Sequence, residues 1–485
     1  MPGKPIDLKD LLGPDGGAVP AGIAVGGLSA DSRQVTAGIV FVAIAGSRAD
    51  GLLYAADAGK RGAAAVVGEG ERPADLPGKT PYIRVADAHA VLARAAARLY
   101  PRQPGTVAAV TGTNGKTSVV SFTRQIWAAL GKKAASLGTL GVVAPAGEIK
   151  GNLTTPDPVA LHEWLDRLAG EGVTHLAMEA SSHGLDQRRL NGVRLTAGAF
   201  TNLTRDHLDY HKTLEAYRAA KLRLFEALLP AGAAAVVNAD SPEAGVIVAI
   251  VRKRGLRLLT VGHKGDDLAL RATKPNGFGE VLSVHAGTKD HRVKFPLVGD
   301  FQVSNALVAA GLAIATGAEA ADALAALENL AGATGRLERV GEKNGAPIFI
   351  DYAHTPDALA QALDALRPYA KRLVVVFGCG GDRDPGKRPL MGEIAVHRAT
   401  RVIVTDDNPR SEDPASIRKA ILAAAKGATE IGDRTAAIKT AVAELNPGDV
   451  LLIAGKGHET GQILGDRTLP FSDHAAVRAA LGEEK

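Results

Sequence analysis

The chain is poor in the residues that mark several protein classes. Its 485 residues include one cysteine (Cys379), three methionines and two tryptophans, and only 4% are aromatic. One cysteine excludes an internal disulfide and a cysteine-rich zinc centre. It fits a reducing compartment. No stretch of about 18 uninterrupted apolar residues occurs, so no membrane span is expected. The opening Met1-Pro2-Gly3-Lys4-Pro5-Ile6-Asp7 lacks the apolar core of a secretory signal. The expectation is a cytoplasmic monomer. Charge of one sign is scarce too, with a net of only +5. No basic run is interleaved with aromatics, so nucleic acid is not an expected partner. The small excess favours anionic small ligands slightly.

The chain does have 46% hydrophobic and 22% charged residues, a globular composition. Its length suggests about three domains. The most informative segment is Ala109-Val110-Thr111-Gly112-Thr113-Asn114-Gly115-Lys116-Thr117-Ser118. It follows an apolar run, Thr106–Val110. A helical pattern follows it, with apolar residues at Val119, Val120, Phe122, Ile126, Trp127 and Leu130. Strand, glycine loop and helix form the context in which Gly-Lys-Thr cradles phosphate. Backbone N–H groups and the helix N-terminus face the anion, Lys116 adds a point charge, and a Thr117 or Ser118 hydroxyl reaches Mg²⁺. The general pattern asks for glycine where Val110 stands.

Residues 1–105 read as a small α/β unit. Its strands are expected at Ile39–Ile44 and Ala63–Val67, and its helix at Ala88–Leu99, capped by Asp87. Pro101–Gly105 reads as a linker. Residues 106–332 alternate strands (Thr174–Met178, Leu195–Phe200, Ala233–Val237) with helices (Pro158–Gly170, Thr213–Leu229), which implies a parallel sheet. Segments at Leu268–Ala272, Gly279–His285 and His291–Leu297 alternate apolar with polar, and an appended antiparallel set is expected there. A helix from Phe301 to about Ala315 follows. Residues 333–485 form a third α/β pattern, with strands at Ile348–Ile350, Leu373–Phe377, Val402–Thr405 and Val450–Ile453.

Polar groups gather at the ends of these strands, where open α/β sheets bind ligands. Glu179 ends one strand of the middle region. Arg205-Asp206-His207-Leu208-Asp209 follows another, and Glu179 and His207 can share a divalent ion beside the Lys116 loop. Lys221, on spacing alone, reads as a surface lysine. The third region offers Gly378–Asp384, Gly455–Glu459 and Asp406-Asp407-Asn408-Pro409-Arg410. Acid, amide and arginine at adjoining strand ends grip an amino acid, or Asp-Asn-Pro merely forms a turn.

Together these residues resemble the Mur ligases, and within them the branch that adds meso-diaminopimelate to UDP-N-acetylmuramoyl-L-alanyl-D-glutamate. The resemblance spans the whole chain. It implies three α/β domains: a UDP-sugar-binding unit (1–105), a central P-loop ATPase domain with an appended antiparallel set (106–332), and a Rossmann-like amino-acid-binding domain (333–485). It implies that Thr111, Gly112, Thr113, Asn114, Gly115, Lys116, Thr117, Ser118, Asn305, Arg336, Asp351 and His354 bind ATP. It also implies that Mg²⁺ is held by Thr117, Glu179, His207 and a carbamylated Lys221, with Lys116, His207 and Lys221 catalytic. Ala30, Ser32, Ser47, Arg48, Ala49, Thr154, Thr155, Ser181, Gln187 and Arg189 are the implied contacts to the UDP-sugar dipeptide. Arg383, Asp407, Asn408, Pro409, Arg410, Gly455 and Glu459 are the implied contacts to diaminopimelate. The resemblance further implies amide formation through an acyl phosphate, in peptidoglycan precursor synthesis.

Overall fold

The structure, a computed structural model, describes residues 5–17, 19–46, 49–151 and 153–483. Three main sheets organise them. The first holds four parallel strands in sequential order: Gly27–Ser29, Ile39–Val42, Ala65–Gly68 and Tyr82–Arg84. Helix Ala88–Leu99 covers one face, burying Val91, Leu92 and Leu99 against Val40, Val42 and Val67. Its cap is the expected Asp87, which accepts the Ala90 N–H at 2.8 Å.

The second sheet has eleven strands. Its centre is parallel: Ala134–Gly138, His175–Glu179, Thr106–Thr111, Ala197–Phe200, Ala234–Asn238 and Arg257–Gly262 lie side by side in that order. These strands are apolar on both faces because helices cover both. Strand Thr106–Thr111 lies in the middle, and the chain leaves it first to one side and then to the other. Its carboxyl end is therefore a crossover crevice. The antiparallel set (Leu268–Pro275, Glu280–Ala286, Lys289–Phe295) is appended to this sheet, as expected. Strand Leu268–Pro275 pairs parallel with Arg257–Gly262 through Val261 and Gly262, so one continuous sheet results. The helix expected over Thr213–Leu229 is regular only for Leu214–Arg223 and widens into a π turn at Leu224–Leu228.

The third sheet runs Glu338–Lys343, Ala346–Asp351, Asp449–Ala454, Arg372–Phe377, Arg401–Val404 and Thr429–Glu430, with only the first strand antiparallel. Helices Arg434–Ala443 and Asp473–Leu481 pack on one face. Helices Pro356–Leu366, Lys387–Arg398 and Pro414–Leu422 pack on the other. This sheet presents its strand ends to those of the second. Asn114 Nδ2 donates to Asp357 at 3.2 Å, Arg336 Nη2 to the Thr117 hydroxyl at 3.1 Å, and Arg205 pairs with Asp384 at 3.0 Å. Phe278, at the tip of the second sheet's hairpin, stacks on Tyr369 with ring centres 5.1 Å apart. No helix among the described residues is long and apolar enough to cross a membrane.

Candidate active site

Strand Thr106–Thr111 feeds a loop that opens helix Lys116–Ala129. Two glycines make the loop possible. Gly115 has φ +87°, and a Cβ there would collide with the Asn305 amide. Gly112 has φ +149°, and its Cβ would collide with the Thr201 hydroxyl. Val110, at the place where the general motif has glycine, is a fully buried strand residue. Lys116 Nζ donates to the carbonyls of Gly112 at 3.0 Å and Thr113 at 2.8 Å. Its pKa falls below the ordinary value because of burial, against the pull of Glu179 and Asp206. The Asn114 N–H donates to Asn202 at 2.9 Å. Thr111, Thr113, Thr117 and Ser118 are buried.

Thr117 and Glu179 meet directly: the hydroxyl donates to Oε1 at 3.0 Å, and Thr139 N donates to the same oxygen at 2.7 Å. Glu179 approaches so closely that a Cβ on Gly138 would collide with its carboxylate. Lys221 is no surface lysine. It is 1% exposed, donates to the Gly112 carbonyl at 2.6 Å and lies 4.3 Å from the centre of the Tyr217 ring. Burial, with Lys116 nearby, drops its pKa well below the ordinary lysine value. His207 has φ +53°, a left-handed conformation costly for a histidine. Burial lowers its pKa to about 4, against Asp206. Burial raises the pKa of Asp206, but His354, His207 and Lys116 outweigh it and hold the carboxylate below its usual range. A hydroxyl, two carboxylates (Lys221 being one once carbamylated) and one imidazole are a donor set that suits Mg²⁺.

Arg336 reaches this group from the third sheet. Besides bonding Thr117, its guanidinium lies 4.5 Å from the Tyr352 ring centre. Asp351 shapes the turn behind it, accepting the Leu337 N–H at 2.6 Å and the Ala353 N–H at 2.7 Å. Burial raises its pKa to about 6 despite those bonds and Arg336. His354 is bonded to the Tyr352 carbonyl at 2.8 Å. Asn305, Arg336, Asp351 and His354 therefore all lie around the Lys116 loop or on the turn facing it.

A second group lies beside Glu179. The Thr155 hydroxyl donates to the Glu179 carbonyl at 2.8 Å and accepts the Ser181 N–H at 3.0 Å. Ser181 caps helix Ser182–Asp186. Arg189 donates to the Thr155 carbonyl at 2.6 Å and to Gln187 Oε1 at 2.6 Å. Thr154 bonds Thr139 at 3.0 Å. Ala30 directly follows strand Gly27–Ser29, Ser32 opens a 3₁₀ turn after it and Ala49 lies in the loop after Ile39–Val42; no bond links them to this group among the described residues. Nearby, Asp31 pairs with Arg33 at 2.8 Å. Ser47 and Arg48 lie outside the described residues.

In the third sheet, strand Arg401–Val404 runs into Asp407–Arg410. Asp407 and Asn408 are buried. Arg410 has φ +54°, and Nη1 donates to the Gly381 carbonyl at 2.8 Å. Gly455, with φ +115°, leaves room for the Asp407 carboxylate 2.5 Å from where its Cβ would stand. Beneath these loops lies a residue that sequence reasoning missed. Arg434 is 2% exposed and pairs with Asp473 at 2.7 Å. It also donates to the carbonyls of Ala454 at 2.9 Å and Asp406 at 3.4 Å, the residues just before Gly455 and Asp407. Lys456 was also missed, and it is wholly buried. Neither carries a local signal that separates it from a surface cation.

Asn408, Arg410 and Glu459 line two cavities. One, of about 190 Å³, also takes in His207, His354 and Arg383. The other, of about 820 Å³, takes in Thr117 and Glu179. Carboxylate, hydroxyl, amide and guanidinium groups from two α/β units thus converge on shared cavities, an arrangement that suits an ATP-dependent amide ligase. The match to known proteins agrees. Residues 24–100 match "Mur ligase family, catalytic domain", 110–313 "Mur ligase middle domain", and 335–457 "Mur ligase, glutamate ligase domain". A protein of Bradyrhizobium diazoefficiens named UDP-N-acetylmuramoyl-L-alanyl-D-glutamate--2,6-diaminopimelate ligase is 59% identical, over 98% of this chain and 99% of its own. One of Rhizobium meliloti with the same name is 59% identical over 95% of each. A solved structure titled as that ligase aligns with a TM-score of 0.70, 33% identity and 99% coverage of both chains. The chain belongs to the Mur ligase family.

Proposed function

We propose that this protein is the ligase that uses ATP to join meso-2,6-diaminopimelate to the D-Glu γ-carboxylate of UDP-N-acetylmuramoyl-L-alanyl-D-glutamate, in cytoplasmic peptidoglycan precursor synthesis. The observation that carries this reading is the single cleft: Arg410, Asn408 and Glu459 wall the same cavity as Thr117 and Glu179. An amine and an activated acid can meet there.

Amide formation from a carboxylate is uphill in water, so the acid is activated first. A γ-carboxylate oxygen attacks the γ-phosphorus of ATP, and ADP leaves. The amine of diaminopimelate then attacks the acyl carbon, and inorganic phosphate leaves with the electron pair of the broken C–O bond. Thr111–Ser118 hold the phosphates, with Lys116 offsetting charge on the transferring group. Asn305, Arg336, Asp351 and His354 frame the nucleotide. Ala30, Ser32, Ser47, Arg48 and Ala49 hold the UDP end, while Thr154, Thr155, Ser181, Gln187 and Arg189 orient the sugar-peptide. Arg383, Asp407–Arg410, Gly455 and Glu459 hold the amino acid. Thr117, Glu179, His207 and Lys221 fit Mg²⁺, which supplies charge neutralisation at the phosphates when bound. Burial disfavours the charged form of Lys221, and the neutral amine is the form that adds CO₂ to become a carbamate anion. The three regions 1–105, 106–332 and 333–485 divide this labour as sugar, nucleotide and amino-acid domains. Positioning is the protein's main contribution.

The test is direct. The protein is incubated with UDP-N-acetylmuramoyl-L-alanyl-D-glutamate, ATP, Mg²⁺ and either meso-diaminopimelate or L-lysine, and ADP and the tripeptide product are followed. Product with diaminopimelate supports the reading, and no product with either amino acid refutes it.

A further inference from the structure

We propose that Lys456 is a positioning residue that polarises the amino-acid pocket, turning Asn408 donor-outward and Glu459 acceptor-outward. The inference rests on the ligase reading above. Lys456 sits between two glycines with positive φ, Gly455 at +115° and Gly457 at +52°, and none of its side chain is exposed. Its Nζ donates to Asn408 Oδ1 at 2.9 Å and to Glu459 Oε2 at 2.9 Å. Its ammonium also lies 6.0 Å from the centre of the Phe471 ring.

The consequence is an accounting of lone pairs. An amide oxygen has two. Asn408 Oδ1 spends one on Lys456 and the other on the Ile463 N–H at 3.0 Å. The Asn408 amide nitrogen donates one proton to Glu459 Oε2 at 2.9 Å. The second amide proton is all Asn408 has left for a ligand, so it reads an acceptor such as a carboxylate. Glu459 receives both of its bonds on Oε2, and Oε1 takes none from the described residues. It therefore reads a donor such as an ammonium. An amino-acid centre carries one of each. Without the ammonium at Nζ, the Ile463 N–H and Glu459 alone oppose an amide flip, and Glu459 itself has lost its anchor.

Lys456→Met keeps the length and removes the donors. The expected result is a KM for meso-diaminopimelate raised about tenfold or more, with the KM for ATP within twofold of wild type and an unchanged melting temperature. An unchanged KM for diaminopimelate, or an equal rise for both substrates, would overturn the proposal. Where Lys456→Met does not yield folded protein, Asn408→Asp decides. It keeps an acceptor for Lys456 but has no proton to give, so a KM rise confined to the amino acid supports the proposal and an unchanged KM overturns it. Wild-type protein that makes no tripeptide with either amino acid refutes the ligase reading and this proposal together. Active wild type with an unaltered Lys456→Met variant refutes this proposal alone.

Discussion

Arg410 sets up a quantitative choice between amino acids. Its Nη1 is engaged by the carbonyls of Gly381 at 2.8 Å and Asn408 at 3.4 Å. Its Nε and Nη2 make no bond among the described residues, so one edge of the fork is left for a carboxylate. Diaminopimelate has a second carboxylate to fill that edge, and lysine has none. An unfilled, desolvated edge costs about 1–3 kcal/mol, and about 2 kcal/mol at the middle of that range is roughly 30-fold in kcat/KM. Arg410→Met should therefore lower kcat/KM for meso-diaminopimelate relative to L-lysine about 30-fold or more, with no fall in the value for L-lysine, which no longer leaves a guanidinium edge unfilled. Lysine serves as the control because Arg410→Met also frees the Gly381 carbonyl, and any damage to that loop strikes both amino acids. Coupled ADP release with each amino acid gives both numbers. A common fall for the two, or a wild type that prefers lysine, would refute the argument from Arg410.

Three further outcomes follow from the geometry. Lys221→Ala should lose most activity and regain part of it with added short carboxylates, since on the proposed reading the missing group is a carbamate anion; full activity without rescue would leave Lys221 with no part in the site. Arg434→Met strands Asp473 in a dry interior and should cost about 3–5 kcal/mol in urea unfolding, whereas Arg434→Met/Asp473→Leu should recover most of it; a single-variant cost below about 1 kcal/mol would contradict the buried pair. His162 is wholly buried, and burial lowers its pKa from 6.5 to about 4. The native state then binds fewer protons than the unfolded chain, so this stability is full above pH 6.5 and is lost as pH falls toward 4, about 3 kcal/mol in all. His162→Gln should flatten the urea midpoint across that window, and slopes equal to wild type would count against it.

Helices with a side-chain cap were legible. Asp87 and Asp157 cap Ala88–Leu99 and Pro158–Gly170 at the boundaries their sequences imply. Buried parallel strands were legible as apolar runs, since both faces meet helices. Strand Ala134–Gly138 was not, because its alanines, glycine and serine carry little strand signal, and its neighbours Gly141–Ala144 and Gly147–Ile149 are too short to show an alternation. Yet this edge supplies Gly138 and Thr139 to Glu179. The antiparallel set showed both its alternation and its attachment to the main sheet; what the pattern did not show is the short parallel join through Val261 and Gly262 that makes it. Lys221 shows the limit most clearly. Helix spacing makes it one more surface lysine, and only the packing of Tyr217 and the Gly112 carbonyl around it reveals a buried amine. Long-range contact, not local pattern, decides the depth of a charge.

The clamp made by Arg434 and Asp473 imposes an order on synthesis. The carbonyls of Asp406 and Ala454 are held by a guanidinium whose own partner lies in the helix Asp473–Leu481. The Lys116 loop and its sheet emerge from the ribosome long before residue 473. A chain halted in between would lack the carboxylate that holds Arg434 against the backbone just before Asp407 and Gly455, so those two loops are pinned only once residue 473 has been made.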